Sequence, residues 1–480
     1  MAMSTLFDAQ VRLGKGRCAI ATRRIATGTR VLLADAFAWV SVSCCNWCLL
    51  HQTPAAAATV LPLRRCGGCK RVKYCSRTCQ QRDWTRGAHA SECDAFRQIP
   101  ASVRGEAMQT VLLVTRLAAK LHMQQTADGG DEQEQVLQLR HHYEDHTASK
   151  LLEFREMAQL VLLLLTRSKL NARNSTFDEL SELLGEKIVL LFCRVNCNAF
   201  TISSDACAPL GIGIFPRGAL FNHSCLPNCV VSFKNQQMVV RAIADIQEGE
   251  ELEISYVELF ESTAKRRRAL RESYFFECQC QRCASALSGE NSVEDLYLDG
   301  YSCATSSCRP EGVMSRTEGE LSAQCEKCGS ERALLKTDQL EGEYVEIKLK
   351  LHQQQQDLAA MDKWRLYQRL ETILVDDLGL HARNTRIASF WREIGTFLLD
   401  TPASEFPANK KPADAILYFT RELEATEWIL PTPKLPSRGL LHFQLGKLLC
   451  ADEDPTDPSA CVNSVQVIET AMKHFQQALS

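Results

Sequence analysis

The placement of cysteine is the feature that most constrains what this chain can fold into. The sequence has 23 cysteines, and they are unevenly spread. Eight lie between Cys44 and Cys93, seven lie between Cys278 and Cys328, and none lies between Asp94 and Phe192. Clustered cysteines in a reducing compartment are more often metal ligands than disulfide partners. The clustering therefore predicts zinc sites.

Length, composition and charge exclude several classes of protein. The chain has 480 residues, which is too long for one core, so we expect several folding units. Its 45% hydrophobic and 24% charged residues are typical of globular proteins, and its apolar runs are too short to span a bilayer. The start, MAMSTLFDAQVR, lacks the apolar core of a signal peptide, which predicts a location in the cytoplasm and nucleus. A net charge of −3 argues against general electrostatic binding to nucleic acid.

Four ligand pairs follow one another between positions 45 and 93. They are Cys45-x2-Cys48, Cys66-x2-Cys69, Cys75-x3-Cys79 and His89-x3-Cys93. A CxxC turn can chelate one edge of a tetrahedral ion, and residues one helical turn apart can present two ligands from one side. Eight ligands make two closed four-coordinate sites, which predicts structural rather than catalytic zinc. Cys44 is an alternative to Cys45, although only Cys45 gives the x2 spacing.

The same segment is strongly basic. It carries eight Lys or Arg residues against Asp83 and Glu92, a net charge of +6. One interpretation is a docking face for acidic peptides, proline-rich peptides or DNA. The other is a solvated basic face on a module too small to bury much.

A third set of thiols is separated in sequence. The segment FECQCQRC supplies Cys278, Cys280 and Cys283, which need a fourth ligand, and Cys225 lies in the segment FNHSCLPNC. If Cys225 completes a tetrahedral site, zinc holds together segments that chain entropy would otherwise separate. The alternative is that these thiols are buried without metal.

A fourth set of thiols precedes a long helical pattern. Cys303-x4-Cys308 and Cys325-x2-Cys328, with a 16-residue gap between the pairs, fit a small zinc ribbon. From about position 340 onward, amphipathic segments such as YVEIKLKLHQQQQDLAAM and RIASFWREIGTFLLD predict stacked helical hairpins. The chain ends inside such a pattern, at AMKHFQQALS, which fits a longer parent chain or a frayed end.

Several motifs together resemble a known family. GKGRCAIATRRIATGTRVL, GIGIFPRGALFNHSCLPN, ELEISY and the CxCxxC triplet resemble the SET domain of protein lysine methyltransferases. The segment 45–93, with its core KYCSRTCQQRDW, resembles the MYND zinc finger. The order of these motifs, with a MYND finger inserted after the first SET strands, resembles that of the SET–MYND family. The resemblance covers most of the chain.

The resemblance implies an α+β multidomain fold. In it a SET β-fold with a pseudoknot is split by a MYND zinc finger and a helical insert, then followed by a post-SET zinc site and an all-α tetratricopeptide-like domain that closes over the substrate cleft. With the zinc ribbon that the spacing predicts, the expected domains are 1–44 N-terminal part of SET, 45–93 finger, 94–195 helical insert, 196–258 core SET, 259–285 post-SET, 300–330 ribbon and 335–480 helical domain.

The resemblance also implies ligands and roles for individual residues. On the finger it pairs Cys45, Cys48, Cys75 and Cys79 on one zinc ion, and Cys66, Cys69, His89 and Cys93 on the other. S-adenosylmethionine is expected at Gly14, Lys15, Gly16, Arg17, Asn222, His223, Tyr256, Tyr274 and Phe276. The lysine channel is expected at Asn198, Ala199, Phe200, Tyr256 and Phe276, with Tyr256 as the catalytic residue. Two departures are Cys18, where a glycine commonly follows the arginine, and Ala199, which replaces a common serine. Plain core packing is the alternative for the aromatic residues.

The function that the resemblance implies is transfer of a methyl group to a lysine side chain of a histone or non-histone protein. An alternative is a catalytically weak SET–MYND scaffold that recruits partners through its finger and helical tail. A third reading, a zinc-dependent DNA binder, requires a basic surface beyond one finger, so DNA contact is expected to be weak. We expect a monomer, with a peptide or transcription regulator as the partner of the finger.

Overall fold

The structure is a computed structural model, and it describes most of the chain. The described residues are 6–41, 44–50, 62–99, 106–123, 130–169, 171, 174–204, 207–287, 292–309, 311–316, 322–334, 337–353, 358–406, 413–429, 435–451, 470 and 472–473. They form two compact units, Met1–Tyr256 with Leu270–Glu277 and Val257–Ala269 with Cys278–Ser480, here unit 1 and unit 2. Among the described helices, none combines the length and the apolarity that a bilayer crossing needs. The predicted helix at AMKHFQQALS lies largely outside the described residues.

Unit 1 contains several small sheets. Its strands are β1 Phe7–Arg12, β2 Gly16–Ala21, β3 Arg30–Asp35, β4 Ala38–Ser41, β5 Arg64–Arg65, β6 Lys73–Tyr74, β7 Ala199–Ser203, β8 Pro209–Ile214, β9 Asn222–His223, β10 Cys229–Lys234, β11 Gln237–Ala242 and β12 Glu253–Ile254. β1 and β2 form an antiparallel hairpin, and three-stranded sheets have the orders β10-β11-β3 and β4-β8-β7. β3 pairs with β11, as in Asp35 opposite Gln237, and β4 pairs with β8, as in Ala38 opposite Ile214, so both strands pair with a much later part of the chain.

The short strands β9 and β12 pair in parallel, although about 30 residues separate them. Asn222 lies opposite Glu253, and His223 lies opposite Ile254. The sequence predicts a strand from the alternation Leu252, Ile254, Tyr256; Leu252 and Ile254 are buried, but the ladder itself is only two residues long.

Helices supply the rest of unit 1. They are α1 Arg77–Arg86, α2 His89–Arg97, α3 Glu106–Ala118, α4 Gly130–Leu137, α5 Ala148–Thr166 and α6 Phe177–Asn198. The start of α6 is fixed by a capping box, in which the Thr176 side chain accepts from the Glu179 N–H and the Glu179 carboxylate accepts from the Thr176 N–H. α6 continues past the predicted domain boundary at 195/196 and ends at Asn198. β7 begins at the next residue, Ala199, so no loop separates the helix from the strand.

Unit 2 combines a small sheet with helices. After α7 Thr263–Tyr274, whose last turn belongs to unit 1, come α8 Gln281–Leu287, α9 Ser292–Asp299, β13 Tyr301–Ser302, β14 Val313–Ser315, β15 Ser322–Cys325, β16 Glu331–Ala333, α10 Thr337–Gln353, α11 Ala360–Glu371, α12 Thr385–Asp400, α13 Ala413–Thr426 and α14 Pro436–Ala451. The four strands form one antiparallel sheet in chain order. Helical hairpins after position 337 agree with the predicted apolar periodicity, and the core of α10–α13 is built from residues such as Trp364, Phe390 and Tyr418.

Candidate active site and metal centres

The pairing of β9 with β12 positions Tyr256 beneath the Asn222–His223 segment. The Tyr256 hydroxyl donates to the Phe221 carbonyl at 2.7 Å, and the Tyr256 N–H donates to Nδ1 of His223 at 3.0 Å. Burial, and after it the neighbouring Tyr274, raises the pKa of Tyr256. The phenol therefore stays protonated at neutral pH while its oxygen keeps lone-pair capacity for a further donor.

A buried carboxylate, Glu251, organises the other side of the same segment. The Asn222 amide donates to Glu251 Oε1 at 2.9 Å and also contacts the Arg17 carbonyl and the Cys18 thiol, each at 3.2 Å. Lys15 Nζ lies 2.7 Å from Glu251 Oε2 and 3.2 Å from Glu253. Burial raises the pKa of Glu251, but hydrogen bonds from Lys15, Asn222 and Cys18 outweigh it and hold that pKa below its usual value. No sequence signal marked Glu251 for a role.

The β1–β2 turn carries Lys15, whose side chain reaches this carboxylate. Gly14 and Gly16 have φ angles of 77° and 78°, a left-handed conformation that favours glycine. A Cβ on Gly16 would lie 3.3 Å from a guanidinium nitrogen of Arg140. Cys18, the departure from the common glycine, lies within β2 in regular register with Gln10, so it causes no irregularity in that strand.

Aromatic rings surround the Tyr256 side chain. Its ring centroid lies 4.8 Å from that of Tyr274 and 5.5 Å from that of His223, and His223 lies 6.1 Å from Phe276. Burial raises the pKa of Tyr274 as well. The structure thus brings together Tyr256, His223, Tyr274 and Phe276, four of the residues that the sequence predicts at one site.

A cavity of about 840 Å³ borders one of these rings, that of Phe276. Its lining includes the predicted Phe276 and also Phe275, His146, Lys150, Asn196 and Arg271, which the sequence did not indicate. Phe275 has a φ of 60° and packs between His142 and His146, with centroids 5.1 and 4.8 Å away. His146 also meets Phe154 edge-on, with centroids 5.3 Å apart, so it lies between a ring of α5 and a ring more than 100 positions later.

The predicted channel residues lie at the junction of α6 and β7. The Asn198 side chain donates to the carbonyls of Arg140 and Arg194, each at 2.8 Å, so its amide N–H groups are held by backbone. Ala199 and Phe200 begin β7, and the Phe200 ring meets Phe215 edge-on at 6.0 Å. The Asn198 side chain therefore links the end of α6 to the backbone at Arg140 by hydrogen bonds.

The remaining predicted cofactor residue, Arg17, points toward the helical insert. Its guanidinium contacts the Gln138 side chain at 3.4 Å and the Gln138 carbonyl at 3.3 Å. Burial lowers its pKa. A second cavity, of about 400 Å³, lies along residues 137–145 with Arg194 at its edge.

The eight finger ligands form two sets within unit 1. Ligand atoms of Cys45, Cys48, Cys75 and Cys79, and those of Cys66, Cys69, His89 and Cys93, lie within 4.8 Å of one another in each set. Sulfur separations of 3.5 Å for Cys75–Cys79 and 3.8 Å for Cys66–Cys93 are close to the edge of about 3.8 Å expected for tetrahedral zinc–thiolate geometry. His89 directs Nε2 to Cys66 and Cys69, at 3.3 and 3.7 Å. Donor type and spacing therefore fit zinc in both sets.

The other two predicted sets differ in where their members lie. Cys278, Cys280 and Cys283 belong to unit 2, whereas Cys225 belongs to unit 1 and is fully buried, with its sulfur 3.2 Å from Nε2 of His223. A single site that includes Cys225 and these three thiols stays a prediction. Cys303, Cys308, Cys325 and Cys328 all belong to unit 2, and their sulfurs lie within 4.8 Å of one another.

Comparisons with known proteins agree with the geometry. A family model described as the SET domain matches residues 16–257, half of the chain. Histone-lysine N-methyltransferase ASHR1 of Arabidopsis thaliana is 33% identical over 270 residues, which are 55% of this chain and 53% of that protein. N-lysine methyltransferase SMYD2 of Homo sapiens is 32% identical over 291 residues, which are 58% of this chain and 61% of that protein.

The chain therefore spans less than two thirds of the length of these curated relatives. Among solved structures, one of Rubisco LSMT bound to AdoMet aligns over 97% of this chain and 96% of that chain, with 11% identity and a TM-score of 0.32.

Proposed function

The chain belongs to the SET domain family, and from that premise we propose that it is a protein-lysine N-methyltransferase that uses S-adenosylmethionine. The acceptor is the lysine side chain of a histone or non-histone protein. Two relatives named as lysine methyltransferases, at 33% and 32% identity, support the proposal. The observation that carries it is the Tyr256 phenol, which is half-buried among aromatic rings and hydrogen-bonded to the Phe221 carbonyl.

The acceptor amine must lose its proton before it can react. With a pKa of about 10.4, a free lysine costs about 4.6 kcal/mol to deprotonate at pH 7. An apolar surround disfavours the ammonium and lowers that cost. Tyr256 and Tyr274 supply such a surround, and at the same time they restrict the amine to a narrow approach, which favours in-line attack.

The proposed donor site comprises the cavity of about 840 Å³ and the polar groups next to it. When bound, S-adenosylmethionine supplies a methyl group activated by its sulfonium. Phe275 and Phe276 offer apolar faces for a planar base, while Asn196 and His146 offer hydrogen-bonding groups. Asn222 and Lys15, both oriented by Glu251, are proposed to bind the charged end of the donor.

Tyr256 is proposed to orient the reacting groups. Its hydroxyl already donates to Phe221, so its oxygen presents lone pairs that accept from the incoming amine N–H or from the polarised methyl group. The raised pKa keeps this hydroxyl neutral, and a neutral oxygen does not compete as an alkylation target.

Zinc is proposed to be structural in the finger, and the CxCxxC triplet is proposed to bind a further structural zinc ion with Cys225 as the predicted fourth ligand. All four ligand positions of each finger set are taken by protein side chains, which leaves none for substrate.

The finger is also proposed to bind an acidic peptide or a transcription regulator. Its two acidic residues, Asp83 and Glu92, are buried and paired with Asn46 and Arg116, so its exposed charge is carried by basic residues such as Arg64, Arg77 and Arg82. The tetratricopeptide-like role of the helices after position 337, the monomeric state and a location in cytoplasm and nucleus remain proposals.

Transfer of labelled methyl from S-adenosylmethionine to an array of histone and non-histone peptides tests the proposal. We expect the parent chain to label lysine-containing peptides, and Tyr256→Phe to lose about 100-fold or more in rate with cofactor affinity nearly unchanged. Tyr297→Phe is the matched control, because Tyr297 also donates to a backbone carbonyl, at 2.9 Å, but in unit 2. If the parent binds partners through the finger but labels no peptide or protein, the scaffold alternative replaces the enzyme.

A further inference from the structure

Cys303, Cys308, Cys325 and Cys328 form a four-thiol cluster that the methyl-transfer proposal does not use. We propose that this cluster binds a structural zinc ion, and that the resulting zinc ribbon holds in place the turn between helices α11 and α12 of the helical region. The inference is independent of the proposed activity, because it concerns metal content and local stability within unit 2 alone.

The thiols are arranged as two facing pairs. Cys303 lies 3.5 Å from Cys328, and Cys308 lies 3.9 Å from Cys325, measured between sulfurs. Both separations are near the edge of about 3.8 Å for a tetrahedron of zinc–sulfur bonds. Three of the four residues are buried, and together with Met314 and Leu334 they form the core of this small sheet. Such a core is too small to be stable by apolar burial alone, as is typical of zinc modules.

The backbone around the cluster is shaped for metal-bound thiolates. The Thr305 N–H donates to the Cys303 sulfur at 3.4 Å, which stabilises negative charge there. Gly329 follows Cys328 with a φ of 72°, so the CxxC turn closes through a left-handed residue. A Cβ on Gly312 would lie 2.5 Å from the Cys308 sulfur and 2.8 Å from the Cys303 Cβ, so only glycine permits the close approach of this loop.

The ribbon is joined to the α11–α12 turn by backbone hydrogen bonds. The Ser302 N–H donates to the Gly379 carbonyl at 2.8 Å, and the His381 N–H donates to the Gly300 carbonyl at 3.0 Å. Tyr301 and Leu380 form an antiparallel bridge between these bonds. Ser302 is directly followed by the ligand Cys303, so the metal fixes the strand to which the turn is paired.

Arg332 provides a second connection from the opposite edge of the sheet. Its guanidinium donates to the carbonyls of Asp377 at 3.1 Å and of Asp376 and Gly379 at 3.5 Å. The carbonyls of Asp376 and Asp377 lie at the end of Thr372–Asp377, a π-helical segment that continues α11, and backbone acceptors and the helix dipole at a helix end favour a cation. Gly379 has a φ of 62°, and a Cβ there would lie 1.7 Å from the Arg332 guanidinium. Glycine at position 379 therefore both adopts the left-handed conformation and leaves room for the Arg332 guanidinium.

Metal counting on the full chain tests the zinc site. Purified under reducing conditions, the double variant Cys325→Ser/Cys328→Ser should hold one zinc ion fewer per chain than the parent by native mass spectrometry. Cys207→Ser, which removes an exposed thiol outside the four ligand sets of the described residues, should match the parent. Equal zinc in parent and double variant, or a parent whose four thiols are found as two disulfides, overturns the site. If the double variant fails to fold, the single variant Cys328→Ser, which changes the one exposed ligand, should release one zinc ion to a chelator at least tenfold faster than the parent; equal release rates overturn the site.

Hydrogen exchange tests the connection to the turn. In Cys328→Ser, amides of Ser302 and His381 should exchange at least tenfold faster, whereas amides of α5 in unit 1 should be unchanged. Arg332→Gln should speed exchange in the turn while leaving zinc content at the parent value. Unchanged exchange at 302 and 381 after loss of the zinc ion overturns the proposed role of the ribbon.

Discussion

Lys15 Nζ lies 2.7 Å from the Glu251 carboxylate, although 236 positions separate the two residues. The same carboxylate accepts from the Asn222 amide at 2.9 Å. One buried acid thereby fixes both the turn between β1 and β2 and the segment paired with β12. Two of the residues proposed to bind the methyl donor owe their orientation to it.

Glu251→Gln should weaken binding of S-adenosylmethionine by about tenfold. The glutamine oxygen can still accept from Asn222, but the neutral amide gives up the charge-assisted bond from Lys15, which is worth about 1 to 2 kcal/mol after screening at the half-exposed lysine. Isothermal titration calorimetry measures the change. Glu248→Gln, at an exposed position on the same turn, is the control and should bind as the parent does. Equal affinities for the two variants would remove Glu251 from the donor site.

The Tyr256 phenol should keep its proton well into the alkaline range. Its pKa is raised above the ordinary value of 10, first by burial and then by Tyr274, because both disfavour the phenolate. Tyrosinate absorbance of the parent minus that of Tyr256→Phe should therefore stay near zero from about pH 7 to about pH 10 in the folded protein. The same difference in denaturant should rise near the ordinary value. A tyrosinate signal from Tyr256 at or below about pH 10 in the folded chain would contradict the proposed neutral hydroxyl.

The parts of the site that can be predicted from sequence are those whose residues lie a few positions apart along the chain. Cys66-x2-Cys69 and His89-x3-Cys93 each place two ligands within one turn, so the finger sets could be anticipated from spacing, although their pairing came from family resemblance. Amphipathic periodicity likewise marked the helices after position 337. Gly14 and Gly16 have the left-handed φ angles that a Gly-x-Gly spacing allows in a tight turn.

What the sequence did not indicate depends on contacts between distant segments. Glu251 looks like one of several acids in QEGEELE, and only the folded chain brings Lys15 and Asn222 to it. His146 lies against Phe275 for the same reason. The predicted domain boundary at 195/196 falls inside α6. The buried face of this helix continues to Val195, and its C-cap is Ala199.

Asn228→Ala should destabilise unit 1 without touching any proposed ligand contact. The Asn228 amide donates to the Glu251 carbonyl, and its oxygen accepts from the Glu253 N–H, both at 2.8 Å. Loss of two backbone partners at a half-buried position costs about 1 to 3 kcal/mol. Thermal unfolding should show a lower Tm for Asn228→Ala, and Ser232→Ala, at an exposed position of β10, should show a smaller change. A change no larger than that control would mean that Asn228 does not hold β12 against β9.

Cys225→Ser should remove one zinc ion per chain, as should Cys278→Ser, if the sequence prediction of a shared site is correct. A CxCxxC triplet offers three thiolates, and zinc in structural sites takes four ligands, so loss of either member leaves an open and weaker site. Cys229→Ser is the matched control, since Cys229 is also buried, lies four positions from Cys225 and belongs to none of the four ligand sets found where the chain is described. Native mass spectrometry of the three variants gives the zinc count, and thermal unfolding reports whether the Asn222–His223 segment depends on the metal. If Cys278→Ser loses zinc while Cys225→Ser keeps the full count, another ligand completes the triplet, and the Asn222–His223 segment is held by its pairing with β12 alone.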